Sequence, residues 1–331
     1  MTDRKSVSLL YLAPAKMADF VATDAGLLGE VYDVRPLYYE GKVHGLLEAP
    51  RILWAVATTD ANVSWFAYRQ AYFATIFSKI LGKPSIVIIG GFDVSSEEWI
   101  GKEIPSGALK ELRAVFRRAS SLLAVSERIA GLARQYTTRR DLEVVPHGFD
   151  TREFRPEGPK DGSVATVAFI RRDYLERKGL MTFVRAARTL PGTTFYLIGK
   201  AVDESVEDLR REAPTNVRIT GWLSRPDLIA LLQKTSVYVQ ASTHEGFGSA
   251  LAQAMLCECV PVTTNRGAIP EVVGDAGIYI EVGSPESLAG GIHRALDHPE
   301  LGARARERVV RLFSLDRRRK ALRECLEKQL R

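Results

Sequence analysis

Residues 242 to 255 carry the stretch of this 331-residue chain whose residue types and spacing point most directly to ligand chemistry. It reads Ser242-Thr243-His244-Glu245-Gly246-Phe247-Gly248-Ser249-Ala250-Leu251-Ala252-Gln253-Ala254-Met255: a strand ends, two glycines bracket one aromatic, and a helix begins. Gly246 and Gly248 permit a close backbone approach to a ligand. The unpaired N–H groups at the helix start, around Gly248, Ser249 and Ala250, form an anion hole. The chemistry implied is the cradling of a diphosphate. An unliganded strand-to-helix turn would carry the same glycines, and that reading stays open at this level. Neither Gly-x-Gly-x-x-Gly after a strand nor the Gly-x-x-x-x-Gly-Lys-Ser/Thr loop occurs, and the first strand meets no glycine until Gly26, which argues against a nicotinamide oxidoreductase.

A cradle of this kind needs strands and helices to hold it. Apolar runs at Ser8 to Leu12, Val31 to Leu37, Ser85 to Ile89, Leu122 to Val125 and Leu142 to Val145 predict strands. Tyr68 to Leu81, Leu109 to Ala119 and Glu127 to Tyr136 carry helical spacing. The segment from Pro146 to Ser163, rich in proline and glycine, predicts a linker. Beyond it the alternation resumes, with strands at Val164 to Ile170, Thr194 to Ile198, Val217 to Thr220, Ser236 to Gln240, Val260 to Thr263 and Gly277 to Val282. Helices are expected at Leu180 to Leu190, Ser205 to Glu212, Pro226 to Gln233, Gly248 to Cys257 and Pro285 to Leu296. Such alternation predicts two α/β, Rossmann-like doubly wound domains around parallel sheets, facing each other across a cleft that holds the active site.

Composition narrows the class. With 46% hydrophobic and 26% charged residues the chain is globular. Three cysteines, Cys257, Cys259 and Cys325, make neither a disulfide framework nor a zinc site, which suggests a reducing cytoplasm. No 18 apolar residues run uninterrupted. The net charge of +6 equals the excess in residues 300 to 331, 11 Lys and Arg against 5 Asp and Glu. That segment reads as a docked amphipathic helix, with contact to an acidic lipid face as the alternative; no nucleic-acid partner is expected. The aromatic region Trp54, Trp65, Phe66, Tyr68, Tyr72, Phe73 and Phe77 reads as helix core, with an acceptor or membrane face as the alternative. His44, His293 and His298 read as surface, His147 as a hinge residue, and His244 as a flank of the cradle.

The residues Glu245-Gly246-Phe247-Gly248, Ala254-Met255, Val260-Pro261-Val262 and Gly267-Ala268-Ile269-Pro270-Glu271-Val272-Val273 closely resemble the donor-site signature of glycosyltransferase family 4, retaining, nucleotide-sugar-dependent enzymes of the GT-B fold. Val145 to Asp150, Arg171, Lys178-Gly179, Gly221 and Phe313-Ser314 agree with it. The resemblance implies an acceptor-side domain over residues 1–150, a donor-binding domain over 151–300, and helices over 301–331 returning to the first domain. It implies hexosyl transfer from a UDP- or GDP-sugar to a saccharide or lipid-linked hydroxyl, in the cytoplasm or at its membrane face, with no cofactor and no metal. Arg171 and Lys178 would neutralise the departing diphosphate, the task fixed cations perform best. Their spacing is two residues longer than in the family, so Arg172 can stand in for Arg171. Glu245 would meet the donor sugar's hydroxyls, Gln253 would face the ribose, and the loop at Trp222 and Leu223 would take the base. Two positions depart from the pattern. Gln253 stands where glutamate is usual, and Gly90, in Ile89-Gly90-Gly91-Phe92-Asp93, where histidine is common. Asp93 remains as the polar group at that strand end, either on the acceptor side with Gly90 and Gly91 or as a loop cap. A nucleotide-sugar-binding protein that has lost acceptor chemistry, or a GT-B phosphorylase or epimerase, stays as the alternative.

Overall fold

The computed structural model describes residues 7–15, 19–39, 45–94 and 104–331; His44 lies outside them. The chain divides into two compact units, Met1–Gly148 with Leu315–Arg331, and Phe149–Ser314.

In the first unit β1 (Ser8–Pro14), β2 (Asp33–Tyr39), β3 (Ala61–Trp65), β4 (Ser85–Ile89), β5 (Ser121–Ala124) and β6 (Leu142–Val144) form one parallel sheet in the order β2-β1-β3-β4-β5-β6. In the second, β7 (Val164–Val167), β8 (Phe195–Ile198), β9 (Val217–Gly221), β10 (Val237–Gln240), β11 (Val260–Thr264) and β12 (Ile278–Ile280) pair in parallel as β12-β11-β10-β7-β8-β9. Both are doubly wound sheets. The strand order of the second reverses between β7 and β10, and a ligand crevice opens beyond the carboxyl ends of strands at such a point.

β3 escapes the sequence reading. Its Asn62 and Ser64 alternate with Val63 and Trp65 as on a half-wet strand, yet all five residues are buried. The polar pair is satisfied internally: Asn62 Nδ2 donates to Ser78 Oγ at 2.5 Å. The segment after Asp150 is likewise no loose linker. Phe154 is buried in the second core, and Lys160 Nζ donates to the Cys257 carbonyl at 2.6 Å. The boundary expected at residue 301 falls instead at 314. Ala305, Val309 and Phe313, on and just after the helix Glu300–Leu312, are buried in the second unit's core.

Only the last helix, Leu315–Leu330, joins the first unit, where Leu322, Cys325 and Leu326 enter the core. Its Arg318 is almost wholly buried and forms a two-pronged ion pair with Asp24, Nη2 to Oδ2 at 2.6 Å and Nε to Oδ1 at 2.9 Å. The same guanidinium donates to the carbonyls of Val145 and Pro146 where the chain leaves β6. Three further cations of this helix are paired: Arg319 with Glu30, Arg323 with Glu327 and Lys328 with Glu143. The packed face makes this segment the docked amphipathic helix that its spacing predicts. No helix among the described residues is long and apolar enough to cross a membrane.

Removing one member of a buried pair leaves the other charge uncompensated, at about 3–5 kcal/mol. Asp24→Ala is therefore expected to destabilise the first unit by that amount in urea unfolding, and a loss below about 1 kcal/mol would contradict the role given to the pair.

Candidate active site

Two loops meet beyond β7 and β10. The loop after β7 runs through Arg171, the short helix Arg172–Arg177 and Lys178-Gly179; the loop after β10 is Ala241 to Gly248. The helix between Arg171 and Lys178 accounts for their long spacing. Gly179 takes a left-handed φ of +65° and lies so close to Ala241 that a Cβ would run into its carbonyl. The backbone of Thr243 donates to the Arg177 carbonyl at 2.9 Å. These contacts deliver Lys178 to Glu245: Nζ donates to Oε1 at 2.6 Å, with 19% and 11% of the two side chains exposed.

The same oxygen receives two more hydrogen bonds. Gln240 Nε2 and Ser242 Oγ each donate to Glu245 Oε1 at 2.8 Å, and Gln240 Nε2 also reaches Ser242 Oγ at 2.7 Å. Gln240 and Ser242 are buried, and Tyr238 OH donates to Gln240 Oε1 at 3.4 Å. Three donors thus converge on one carboxylate oxygen, while Oε2 accepts from none of the described side chains. The Glu245 backbone is fixed as well. Gly267, at φ +61°, presses against it with no room for a Cβ, and Ala268 N donates to its carbonyl at 2.9 Å. Sequence reasoning missed Gln240 and Ser242. The available signal was two polar residues at the buried end of a strand, three and five positions before the glutamate.

The remaining expected residues fall into three groups. Gly248, at φ +99°, caps the helix Ser249–Leu256; Ser249 and Ala250 form its first turn and Gln253 its second, all half-buried. Phe247 is a core anchor rather than a ligand contact: it is 4% exposed, stacks on Phe149 at 5.9 Å and meets Phe313 edge-on at 5.2 Å. Gly246 links the two. Near β9, Gly221 is left-handed, Trp222 is 70% exposed and Leu223 half-buried. His244 is half-buried, with Nδ1 at 3.2 Å from Thr243 Oγ1.

The two arginines do not join Glu245. Arg171 is exposed, paired with Asp173, and lies 5.0 Å from the Tyr174 ring centre. Arg177 lies over that ring at 4.2 Å and Lys178 at 5.8 Å, so Tyr174 gathers three cations beside the crevice. Arg172 turns the other way. Its backbone N–H donates to the Asp203 carboxylate at 2.9 Å and its guanidinium pairs with Asp208 on the helix Val206–Glu212. Asp203 is held down to about 2 by the Ser205 hydroxyl and by backbone N–H groups.

At the end of β4, in the first unit, Asp93 is buried. It accepts from Ala67 N and Gly91 N, each at 2.9 Å, and so ties the loop together. Gly91 takes a φ of +120°, and a Cβ at Gly90 would strike the ring of Phe66, itself left-handed at φ 67°. That ring fills the space a side chain at position 90 would need. His147 is buried against Phe20 and Trp65, with ring centres 4.4 and 5.8 Å away; burial, and then the charge of Arg318, hold it neutral.

Comparison with known proteins bears on both units. Residues 150–310, a little under half of the chain and all in the second unit, match the family model described as glycosyl transferases group 1. Two relatives are the MMP alpha-(1->4)-mannosyltransferase of Mycolicibacterium hassiacum, 29% identical over 67% of this chain and 58% of the relative, and the GDP-mannose:cellobiosyl-diphosphopolyprenol alpha-mannosyltransferase of Xanthomonas oryzae, 24% identical over 74% and 66%. The chain spans about half the length of the first curated relatives it matches. The crystal structure of Anabaena HepE in complex with UDP and glucose is similar over 97% of this chain and 100% of that one, at 16% identity and a TM-score of 0.83. The fold is that of the GT-B glycosyltransferases. Among the described residues no group of three or more His, Cys, Asp or Glu side chains is placed to hold a metal ion.

Burial raises the Asp93 carboxyl to about 6, against backbone N–H groups that pull it down. A carboxyl whose pKa is higher folded than unfolded adds stability as pH falls through the folded value toward the unfolded one, here about 3.8. Between about pH 7 and pH 5 the gain is roughly 1 kcal/mol, since one pKa unit is worth about 1.4 kcal/mol. Asp93→Asn keeps the shape, accepts at one oxygen only and does not titrate. It is expected to be less stable than the natural protein in denaturant unfolding, by roughly 1 kcal/mol more at pH 5 than at pH 7; a gap that narrows toward pH 5 would contradict this.

Proposed function

We propose that the protein is a retaining glycosyltransferase that moves a hexosyl group from a UDP- or GDP-sugar to a hydroxyl of a saccharide or lipid-linked acceptor, with the second unit binding the donor. One observation carries the reading: Lys178, Gln240 and Ser242 all hold Glu245 through Oε1, which orients Oε2 as an acceptor for a sugar hydroxyl. A carboxylate fixed by charge-assisted bonds costs little reorganisation when a ligand arrives. The Lys178 ammonium has three donors and spends one on Glu245, so two remain for a diphosphate oxygen. The first turn of the helix Ser249–Leu256 supplies backbone N–H groups to the same diphosphate. Arg171 and Arg177 extend the positive field beside Tyr174, and the exposed Trp222 offers a face for the base.

In the transfer, the bond from the sugar's anomeric carbon to the diphosphate oxygen breaks and the acceptor oxygen bonds to that carbon from the same face. The hydroxyl proton passes to the departing diphosphate. The mannosyltransferase relatives, one named for GDP-mannose, and the UDP- and glucose-bound neighbour support a hexosyl donor and keep both nucleotides in play. A second reading, binding of the nucleotide sugar without transfer, is favoured by one observation. At the end of β4 the Asp93 carboxylate is taken up by backbone N–H groups and Phe66 fills the space beside Gly90.

Calorimetry separates the roles. A charged hydrogen bond to phosphate contributes about 1.5–3 kcal/mol, so Lys178→Ala is expected to weaken UDP or GDP binding roughly ten- to hundredfold. Gln240→Leu leaves Lys178 in place and removes one of the three donors to Glu245, along with the amide's bonds to Ser242 and Tyr238. It is expected to leave nucleoside diphosphate affinity unchanged and to lower nucleotide-sugar affinity by about 1 kcal/mol. Equal loss for both ligands with Gln240→Leu, or no loss with Lys178→Ala, would overturn the assignment.

A further inference from the structure

Helices Gly45–Ala57 and Arg69–Ile80 of the first unit finish side by side. Lys83, just past the second, donates from Nζ to the carbonyls of Val56 at 2.9 Å, Ala57 at 2.7 Å and Thr59 at 2.5 Å, at the end of the first. Large apolar side chains stand in solvent at these two ends: Trp54 is 69% exposed, Ile80 72%, and Leu53 and Leu81 41% each. Beside them opens a cavity of about 350 Å³ lined by Lys79, Lys83 and Arg118, by serine hydroxyls and by Gln329, with no carboxylate in its wall among the described residues. Arg118 lies over the Tyr72 ring at 5.5 Å, and its Nη1 is buried without a hydrogen-bond partner. A buried donor left unpaired is costly, and turning this guanidinium toward the cavity would let an anion's oxygen satisfy it.

We propose that this end of the first unit docks on an anionic lipid bilayer, with a phospholipid phosphate seated against Lys79 and Arg118 and with Trp54, Ile80 and Leu81 in the interfacial layer. Cations alone would suit any phosphate. The exposed apolar side chains on the rim are what a free anion leaves unexplained and a membrane surface takes up, since tryptophan and aliphatic side chains partition to the headgroup boundary while nearby Lys and Arg attract acidic lipid. Charge and apolar area act together here, and surface docking generally needs two such signals. The inference stands apart from the transfer chemistry, because it uses residues of the first unit that take no part in donor binding.

The test is sedimentation of the full chain with vesicles of phosphatidylcholine alone or mixed with phosphatidylglycerol, at low salt. The expected result is binding to the mixed vesicles only, reversed by high salt. Each cation near an acidic surface changes partition about fivefold, so Lys79→Glu is expected to lower it on the order of tenfold or more. Trp54→Ser combined with Ile80→Ser is expected to abolish it with melting temperature and nucleotide binding unchanged. Equal binding to neutral vesicles, binding unaffected by these substitutions, or no sedimentation at all would overturn the proposal. Release of bound protein by millimolar glycerol phosphate would mark the cavity as a site for a soluble phosphate and would overturn surface docking.

Discussion

Three donors on one oxygen of Glu245 hold the candidate site together. A carboxylate with 11% of its side chain exposed loses most of its water, and the Lys178 ammonium, the Gln240 amide and the Ser242 hydroxyl replace that water with fixed dipoles and a charge. The arrangement depends on backbone approaches that leave no room for a side chain at Gly179 or Gly267. It depends equally on the parallel pairing of β10 with β7 and β11, which ends all three strands at one edge. Phe247, packed between Phe149 and Phe313, anchors the turn so that Gly248 can open the helix behind it.

How much of this the sequence discloses depends on the range of the interaction. The turn from Glu245 to Ser249 and the alternation of strands and helices are local, and they are legible residue by residue. Lys178 is legible through its neighbour Gly179, whereas its ion pair with Glu245, far along the chain, is not. Gln240 and Ser242 went unread because a polar residue at a strand end looks solvated until the sheet is assembled around it. β3 went unread for the same reason, since Asn62 finds Ser78 only across a helix crossing. Arg172 and Arg171 are adjacent in sequence and diverge by one step of a helix start, which sends one to Asp208 and leaves the other beside Tyr174.

Charge tells a parallel story in the first unit. The net positive charge of the chain lies in its last 32 residues, and counting alone invites a surface role for them. The fold instead buries Arg318 against Asp24 and pairs Arg319, Arg323 and Lys328 with carboxylates. Lys79 and Arg118, which line the first unit's cavity, belong to a stretch whose summed charge is unremarkable in sequence. Position in the fold, more than the count, decides which charges are available to a ligand.

The central claim is that Glu245, held through Oε1, serves a nucleotide-sugar donor. The most direct test is the release of nucleoside diphosphate from a panel of UDP- and GDP-hexoses, with the natural protein and with Glu245→Gln. Turnover of at least one donor, lowered by on the order of a hundredfold or more in the variant while nucleoside diphosphate still binds, is the result this account predicts. Binding of no donor in the panel, or equal turnover by the two proteins, would contradict it.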